Sequence, residues 1–324
     1  MEIYIPKFTD LFVREPIGSK IGFSGEYRAI LRAENGEIKH DSGWLPNTLL
    51  NNGLKNLRDQ DSFSQLVLGT SDTAVDITQT GILGSYIYKR SLTSPQSYVN
   101  NGAPNYESVI VEQAVFTAGY GTGLIKEFTL APNNTDYANN ATVRVVLTTP
   151  INKGAQDELT MQHRLTFYPD LNDYTGVIDI SGVAYNYLLR AFRCESVHRS
   201  YPTYIGPPYW GNGWCYNDEP PAVVGEDFHH GGQNTYIGSS VETVGGSGPG
   251  TWYRNSELKV ALDNGNFAAG LRRIGGGYRG TSVNNGAYGM NLRIGKVSDD
   301  SAIMKTNTHT VTLHMRTYPQ RYVP

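Results

Sequence analysis

Two pairs of neighbouring carboxylates are the residues in this chain best suited to acid–base chemistry. Asp218 and Glu219 form the first pair, and Glu226 and Asp227 form the second. Such pairs hydrolyse glycosidic bonds when one carboxyl group, with a raised pKa, protonates the leaving oxygen. Adjacent acids in a loop are usually solvated, and the chain carries no nucleophile elbow, phosphate-binding loop or HExxH zinc motif. The sequence therefore favours a protein that is not an enzyme, and we assign no catalytic residue.

A metal site is the next chemistry to consider. Cys194 and Cys215 are the two cysteines of the chain, and His198, His229 and His230 lie near them in the sequence. Thiolates and imidazoles are the ligands of tetrahedral zinc, but nothing in this spacing brings the five side chains together. We favour two reduced thiols and exposed loop histidines, and we predict no metal and no cofactor. Whether the two cysteines pair is left open.

Aromatic side chains are concentrated in the glycine- and proline-rich stretch 201–221, which also contains Cys215 and the first carboxylate pair. Rings in a stiffened loop offer a large contact area at a low entropic cost. They fit a contact between subunits, a small local core for the loop, or a stacking platform for a host-surface glycan. We favour the subunit contact. The candidate binding residues are Tyr201, Tyr204, Tyr209, Trp210, Trp214 and Tyr216.

The bulk composition narrows the class of protein. The chain has 324 residues, 36 of them glycine, and only 18% charged residues, which suits a turn-rich β protein of two domains. Its net charge of −3 gives no electrostatic reason to expect nucleic acid as a partner. No apolar run is long enough for a membrane-spanning helix, and the first 20 residues do not resemble a signal peptide. We expect synthesis in the cytoplasm.

The elements that must position these residues are mostly strands. Short alternating segments are separated by turns at regular intervals, without long helices between them, which predicts an antiparallel β-sandwich. A hairpin turns at Asn35 and Gly36. Further strands are predicted at 65–70, 84–92, 108–118, 124–131, 141–148 and 158–169, with a hairpin at 175–192.

One short helix interrupts this pattern. Between Gly43 and Leu57, leucines recur at roughly helical spacing. A helix of about a dozen residues is marginal alone in water, so it must pack its leucines on a sheet. We therefore predict all-β sandwich domains with one capping helix.

We predict the domain organisation from shifts in composition and from two similar sequence segments, an internal echo of the first half in the second. We predict an extended N-terminal arm over residues 1–20, a β-sandwich over 21–195, a loop or linker over 196–250, and a second β unit over 251–324. PINK precedes LTMQHRLTFYP in the first half, and AIMK precedes HTVTLHMRTYP in the second. The second unit is thus predicted to be a degenerate repeat, completed into a domain by part of 196–250.

The order of four motifs resembles a family of virion proteins of tailed bacteriophages. The motifs are GEYRAILRAENGEIKHDSGWLPNTLLNNGL, LVLGTSDTA, PINKGAQDELTMQHRLTFYP and TGVIDISGVAYNYLLRA, and the similarity covers residues 21–195. Members of this family are minor virion or tail structural proteins, often components of tail fibres, collars or appendages. The resemblance therefore implies a non-enzymatic structural protein located in the virion.

The resemblance also sets the expected partners. A virion component assembles with other copies of itself and with other virion proteins, here through the arm and the long loop, into a symmetric oligomer. The alternative is an adsorption module that binds a host-surface glycan through the aromatic residues of the loop.

Overall fold

The protein is described by a computed structural model that places residues 9–12, 17–59, 64–101, 107–132, 139–193, 210–222, 234–237, 241–278 and 288–322. These residues form mostly strands with a single short helix, so the predicted all-β class is confirmed. The helix is α1 (Asn51–Asp59). The strands are β1 (Thr9–Phe12), β2 (Ile17–Arg32), β3 (Ile38–Asp41), β4 (Leu45–Pro46), β5 (Thr48–Leu49), β6 (Gln65–Gly69), β7 (Tyr86–Ser91), β8 (Thr93–Asn101), β9 (Glu107–Phe116), β10 (Gly123–Ala131), β11 (Val143–Lys153), β12 (Glu158–Pro169), β13 (Tyr174–Ile180), β14 (Val183–Arg193), β15 (Trp210–Tyr216), β16 (Asn234–Ile237), β17 (Val241–Gly245), β18 (Tyr253–Val260), β19 (Arg273–Tyr278), β20 (Tyr288–Lys296) and β21 (His309–Arg321).

The strands form three sheets. A ten-stranded central sheet has the order β17-β18-β21-β2-β12-β9-β8, with β1 also on β21 and with β3 and β4 also on β2. A five-stranded sheet has the order β5-β11-β10-β6-β7, and a six-stranded sheet has the order β13-β14-β20-β19-β15-β16. Neighbours are antiparallel except that β1 and β2 run parallel to β21. The central sheet is therefore shared by the two halves of the molecule.

Alternation along the strands decides which face of the central sheet is buried. In β12, Leu159, Met161 and Leu165 are buried, whereas the residues between them are mostly half-buried. Tyr27 on β2 points the same way, because its ring contacts Phe128 of the five-stranded sheet with ring centroids 5.3 Å apart. Side chains at the intervening positions lie on the outer face.

The domain boundary differs from the one expected at residue 195. Strands β13 and β14 lie in the six-stranded sheet, where β14 pairs with β20 from far downstream. Residues 174–193 thus belong with the second half of the molecule. Strand β2 pairs with β12 on one side and with β21 on the other, so the two halves share one continuous sheet.

The same order of pairings occurs twice along the chain. In the first half β9 pairs with β12 and β10 with β11, and in the second β18 pairs with β21 and β19 with β20. The lysines of PINK and AIMK also correspond. Lys153 Nζ donates to the carbonyl of Thr117 at 3.1 Å, just after β9, and Lys305 Nζ to that of Leu262 at 3.0 Å, just after β18. A duplicated β unit would have these features.

The arm expected over residues 1–20 is, in its described parts, a piece of the central sheet. Residues 9–12 form β1 and residues 17–20 begin β2, and both pair with β21. The remaining residues of the segment, 1–8 and 13–16, lie outside the described ranges. Pairing with β21 satisfies backbone groups that a free arm would leave to water.

The helix is present but begins later than expected. Leu45 and Leu49 lie in the short strands β4 and β5, which pair with β2 and β11, so the helix starts only at Asn51. Leu54 and Leu57 are buried, as the predicted leucine stripe requires. The helical spacing thus identified the buried leucines correctly and misplaced the start of the helix.

Arginines hold the helix against the second half of the central sheet. Arg321 on β21 donates through Nε to the carbonyl of Leu49 at 2.7 Å, ahead of the helix. At the other end, Arg254 on β18 donates to the carbonyl of Arg58 at 3.0 Å, a helix carbonyl that lacks an intrahelical partner. Gly53 meets Thr142, the residue before β11, so the helix bridges the five-stranded sheet and the second half of the central sheet.

Replacing Gly53 by alanine is expected to destabilise the protein. A Cβ atom at this position would lie 2.2 Å from the carbonyl oxygen of Thr142 and 2.6 Å from Leu49 Cδ1. Alanine in a helix is normally favoured over glycine by about 0.5–1 kcal/mol. Here the clash with the backbone reverses the sign, and we expect Gly53→Ala to lower the free energy of unfolding by about 1–3 kcal/mol.

Urea denaturation followed by circular dichroism measures this change. Lys55→Ala, at an exposed position of the same helix, is the matched control and should shift the free energy of unfolding by less than about 0.5 kcal/mol. A Gly53→Ala variant more stable than the parent would contradict the close packing of α1 on the backbone of Thr142.

Candidate interface on the central sheet

The aromatic candidates from the sequence lie only partly in the described residues. Tyr201, Tyr204 and Tyr209 fall outside them, and Trp210 is described by its backbone alone, as the first residue of β15. Trp214 is half-buried and packs against Phe192 and Tyr216.

Tyr216 is buried, so it is not available to a partner or a sugar. It lies on β15, an interior strand between β16 and β19, and the guanidinium of Arg273 sits 4.0 Å from its ring centroid. Arg273 also binds Asp218 at 2.6 Å. Among the three interpretations of the aromatic residues, the burial of Tyr216 favours a local core at this position.

Both residues of the first carboxylate pair form ion pairs with arginines. Asp218 binds Arg273, and Glu219 binds Arg272 and Arg293 through its two oxygens at 2.5 and 2.6 Å. Burial disfavours ionisation of Glu219, but the hydrogen bonds from Arg293 and Arg272 prevail and lower its pKa. A general acid needs a raised pKa, so Glu219 has the wrong electrostatic environment for that role. Glu226 and Asp227 lie outside the described residues.

Cys215 is a free, buried thiol on β15. Burial raises its pKa to about 11, and its Sγ lies 3.3 Å from the carbonyl oxygen of Thr235. Metal ligation requires the thiolate, which this environment disfavours. Cys194, His198, His229 and His230 lie outside the described residues. Within the described ranges, no three His, Cys, Asp or Glu side chains are grouped closely enough to hold a metal ion.

The outer face of the central sheet carries a group of rings and a guanidinium across four adjacent strands. We call it the aromatic–arginine face. Its members come from β18, from β21 and the residue that follows it, and from β12, with β2 between the last two. They are Tyr168, Tyr253, Arg316, Tyr318 and Tyr322.

Ring contacts connect the members of this face. Tyr168 and Tyr322 are stacked, with centroids 3.6 Å apart and planes 12° apart. Tyr253 and Tyr318 meet edge to face at 6.2 Å. Such pairs contribute about 0.5–1.5 kcal/mol beyond the area they bury, and they hold each ring in one orientation before any partner arrives.

Glycines on β2 make room for these rings. A Cβ on Gly18 would lie 3.3 Å from the ring of Tyr318, and a Cβ on Gly22 would lie 3.1 Å from the ring of Tyr322. The tyrosines therefore lie across the strand that separates them. Aromatic side chains that cover glycines on neighbouring strands also compensate for the poor packing of glycine in a sheet.

Arg316 gives this face its charge. Its guanidinium lies 3.9 Å from the ring centroid of Tyr253, and its Nε donates to Asn255 Oδ1 at 2.8 Å. Neither the ring of Tyr253 nor the amide of Asn255 carries a charge, and no carboxylate pairs with Arg316 among the described residues. An arginine supported by a ring and an amide keeps a positive charge available for a partner.

A second arginine–aromatic contact extends the outer face along β12. Arg164 lies 4.2 Å from the ring centroid of Trp44 and binds Glu26 at 2.7 Å. Tyrosine, tryptophan and arginine are the residues most enriched at the energetic centres of protein interfaces. The outer face thus has the composition and the fixed geometry of a binding surface.

The sequence held a signal for this face. Tyr168 and Tyr318 each precede a proline, and these are the two Tyr-Pro endings that mark the internal echo. Their proximity depends on β12 and β21 flanking β2, a long-range pairing that spacing along the chain does not specify.

Two ionisable side chains of the central sheet lie opposite each other, the fully buried His163 and the half-buried Glu112, whose Oε2 is inaccessible to solvent. Glu112 on β9 and His163 on β12 are register partners, and Tyr27 is the partner of His163 on the next strand. Burial raises the pKa of Glu112 to about 8 and lowers that of His163 to about 3. Both groups are therefore mostly uncharged at neutral pH. Their environment is the interior between the central and five-stranded sheets.

A buried ion pair organises the segment between β6 and β7. Arg144 and Glu127 have fully buried side chains and a contact of 2.8 Å. Glu127 also accepts hydrogen bonds from the backbone N–H groups of Ser71, Leu83 and Gly84. The pair thus serves to position backbone.

Comparisons with family models, curated proteins and solved structures returned no match. Within its described residues, the chain has no helix of the length and apolarity needed to cross a membrane.

Proposed function

We propose that this protein is a non-enzymatic structural protein of a tailed-phage virion, which assembles with copies of itself and other virion proteins into a symmetric oligomer of the tail, collar or fibre apparatus. The observation that carries the proposal is the aromatic–arginine face, because its rings and Arg316 have the residue types of an interface and are held in place by one another.

The continuous central sheet supports the same function. A sheet of ten strands shared by both halves makes a stiff wall, and residues fixed on such an element keep their geometry better than residues on loops. The order of sequence motifs over residues 21–195, which resembles phage virion proteins, supplies the biological setting.

Light scattering of the purified protein tests the assembly. A discrete oligomer is expected, and the double variant Arg316→Ala/Tyr322→Ala should reduce its mass or weaken its association at least tenfold, since arginine and tyrosine at the centre of an interface each contribute about 2 kcal/mol or more. Lys55→Ala is the control, because Lys55 is exposed on α1, outside the aromatic–arginine face, and should leave the mass unchanged. A monomer at every concentration tested would contradict self-assembly.

A glycan-binding adsorption module is the second candidate. The observation that favours it is Tyr322, a residue 40% exposed whose ring is stacked on Tyr168. An exposed ring on a rigid support is suited to stacking on a sugar. Saturable glycan binding that is lost in Tyr322→Ala, with an unchanged oligomeric mass, would favour this candidate over the structural one.

A further inference from the structure

Strand β1 is attached to the fold through one neighbour. Its four residues pair in parallel with β21, from Thr9 opposite His309 to Phe12 opposite Thr312. Among the described strands it pairs with no other. Its departure would therefore open one side of β21 at residues 309–312 and leave every other described ladder intact.

The register shows that β1 is not a simple continuation of β2. Both strands pair with β21: Phe12 lies opposite Thr312, and Ile17 lies opposite Met315. The chain therefore advances by five residues between the two strands, whereas β21 advances by three over the same distance. The connection is thus two residues longer than a continuous ladder needs. Five steps of extended chain span at most about 17 Å, which sets how far from its own β21 the strand can pair.

The position that β1 occupies accepts a parallel strand beside the start of β21. Residues 309–312 lie at the start of β21, where Val311 and Thr312 also pair with β18 on the other side and Val311 is buried. Without β1 this edge would present unpaired N–H and C=O groups, which bind another strand readily. The first residues of a second copy supply the same strand in the same register.

We propose that β1 is exchanged between copies of this chain, so that residues 9–12 of one copy complete the central sheet of the next. The inference rests on the proposed function, since it adds a second contact between the copies to the one through the aromatic–arginine face. Exchange of an identical element replaces each backbone hydrogen bond by an equivalent one, so it costs little free energy. The short connection requires the β21 strands of the two copies to lie close together.

Disulfide trapping tests the exchange. Asp10 and Thr310 are register partners, and Thr310 is half-buried. Adjacent strands place such partners within the Cα separation of roughly 4.4–6.8 Å that a disulfide needs. Chains carrying only Asp10→Cys and chains carrying only Thr310→Cys are mixed, refolded together and mildly oxidised. A covalent dimer containing one chain of each kind is the expected product on non-reducing gels and by mass spectrometry.

The double variant Asp10→Cys/Thr310→Cys, oxidised on its own, tests the alternative that β1 pairs with β21 of the same chain. A disulfide closed within one chain, together with no mixed dimer from the single variants, would overturn the exchange. Absence of both products would overturn the register on which it depends. The unsubstituted chain, run in parallel, accounts for cross-links through Cys194 and Cys215.

Light scattering on the same samples separates this inference from the proposed function. If the protein is an oligomer that forms no mixed disulfides, the exchange is contradicted and self-assembly through another surface is retained. If it is a monomer that forms no mixed disulfides, both the exchange and self-assembly are contradicted.

Discussion

Replacing Arg144 by methionine is expected to lower the free energy of unfolding by about 3–5 kcal/mol, because it leaves the carboxylate of Glu127 buried without its counter-charge. The side chains of both residues are inaccessible to solvent. Arg144 also donates to the backbone carbonyl of Thr73 and to the side chain of Gln79, so the segment that follows β6 loses its fixed position as well. Chemical denaturation at neutral pH measures the change.

Arg28→Met is the matched control for this variant. Arg28 binds Asp41 through two hydrogen bonds, as short as 2.5 Å, but both side chains are partly exposed. Water solvates the remaining carboxylate there, so Arg28→Met should cost much less stability than Arg144→Met. Equal losses in the two variants would contradict the special role of burial at Glu127.

Glu112→Gln is expected to stabilise the protein above neutral pH. Burial raises the pKa of Glu112 from 4.5 to about 8, so the folded state binds a proton that the unfolded state has already released. The stability associated with this carboxyl group is complete below pH 4.5 and is lost as the pH rises to about 8. At about 1.4 kcal/mol per pH unit, the parent should lose roughly 2 kcal/mol between pH 6.5 and 8.

Glutamine keeps the shape of the side chain and does not ionise. The free energy of unfolding of Glu112→Gln should therefore be nearly flat between pH 6.5 and 8, and at pH 8 it should exceed that of the parent by roughly 2–4 kcal/mol. His163 does not interfere, since lowering its pKa from 6.5 to about 3 costs stability only as the pH falls below 6.5. Glu37→Gln, at an exposed position of the first hairpin, should follow the parent curve. A parallel pH dependence of parent and Glu112→Gln would refute the assignment.

Local patterns along the chain predicted the strands well. The segment Glu158–Pro169 is a strand with the predicted bounds, and the Asn35-Gly36 turn connects β2 to β3. Alternation and turn chemistry are properties of neighbouring residues, so one sequence suffices to read them. The start of the helix was predicted less accurately. Leu45 and Leu49 also fit the helical spacing, but they lie in short strands that pair with β2 and β11, which are distant or separate elements of the chain.

The candidate interface could be predicted less completely for the same reason. Aromatic density in the 201–216 stretch indicated a binding surface, yet Tyr216 lies inside the molecule because β16 and β19 enclose its strand. Conversely, Tyr168 and Tyr322 are 154 positions apart in the numbering of the chain and stack only because β12 and β21 both border β2. Which strands become neighbours is a global property that composition does not encode.

The parallel pairing of β2 with β21 has a mechanical consequence. These strands lie near the two ends of the chain, and since they run in the same direction, the chain enters the ladder at one end and leaves it at the other. A force that pulls the two ends apart is therefore directed along the strands and loads the hydrogen bonds from Ile17 to Phe23 together, in shear. An antiparallel pair pulled from adjacent ends would open one bond at a time. The arrangement suits a component that carries tension.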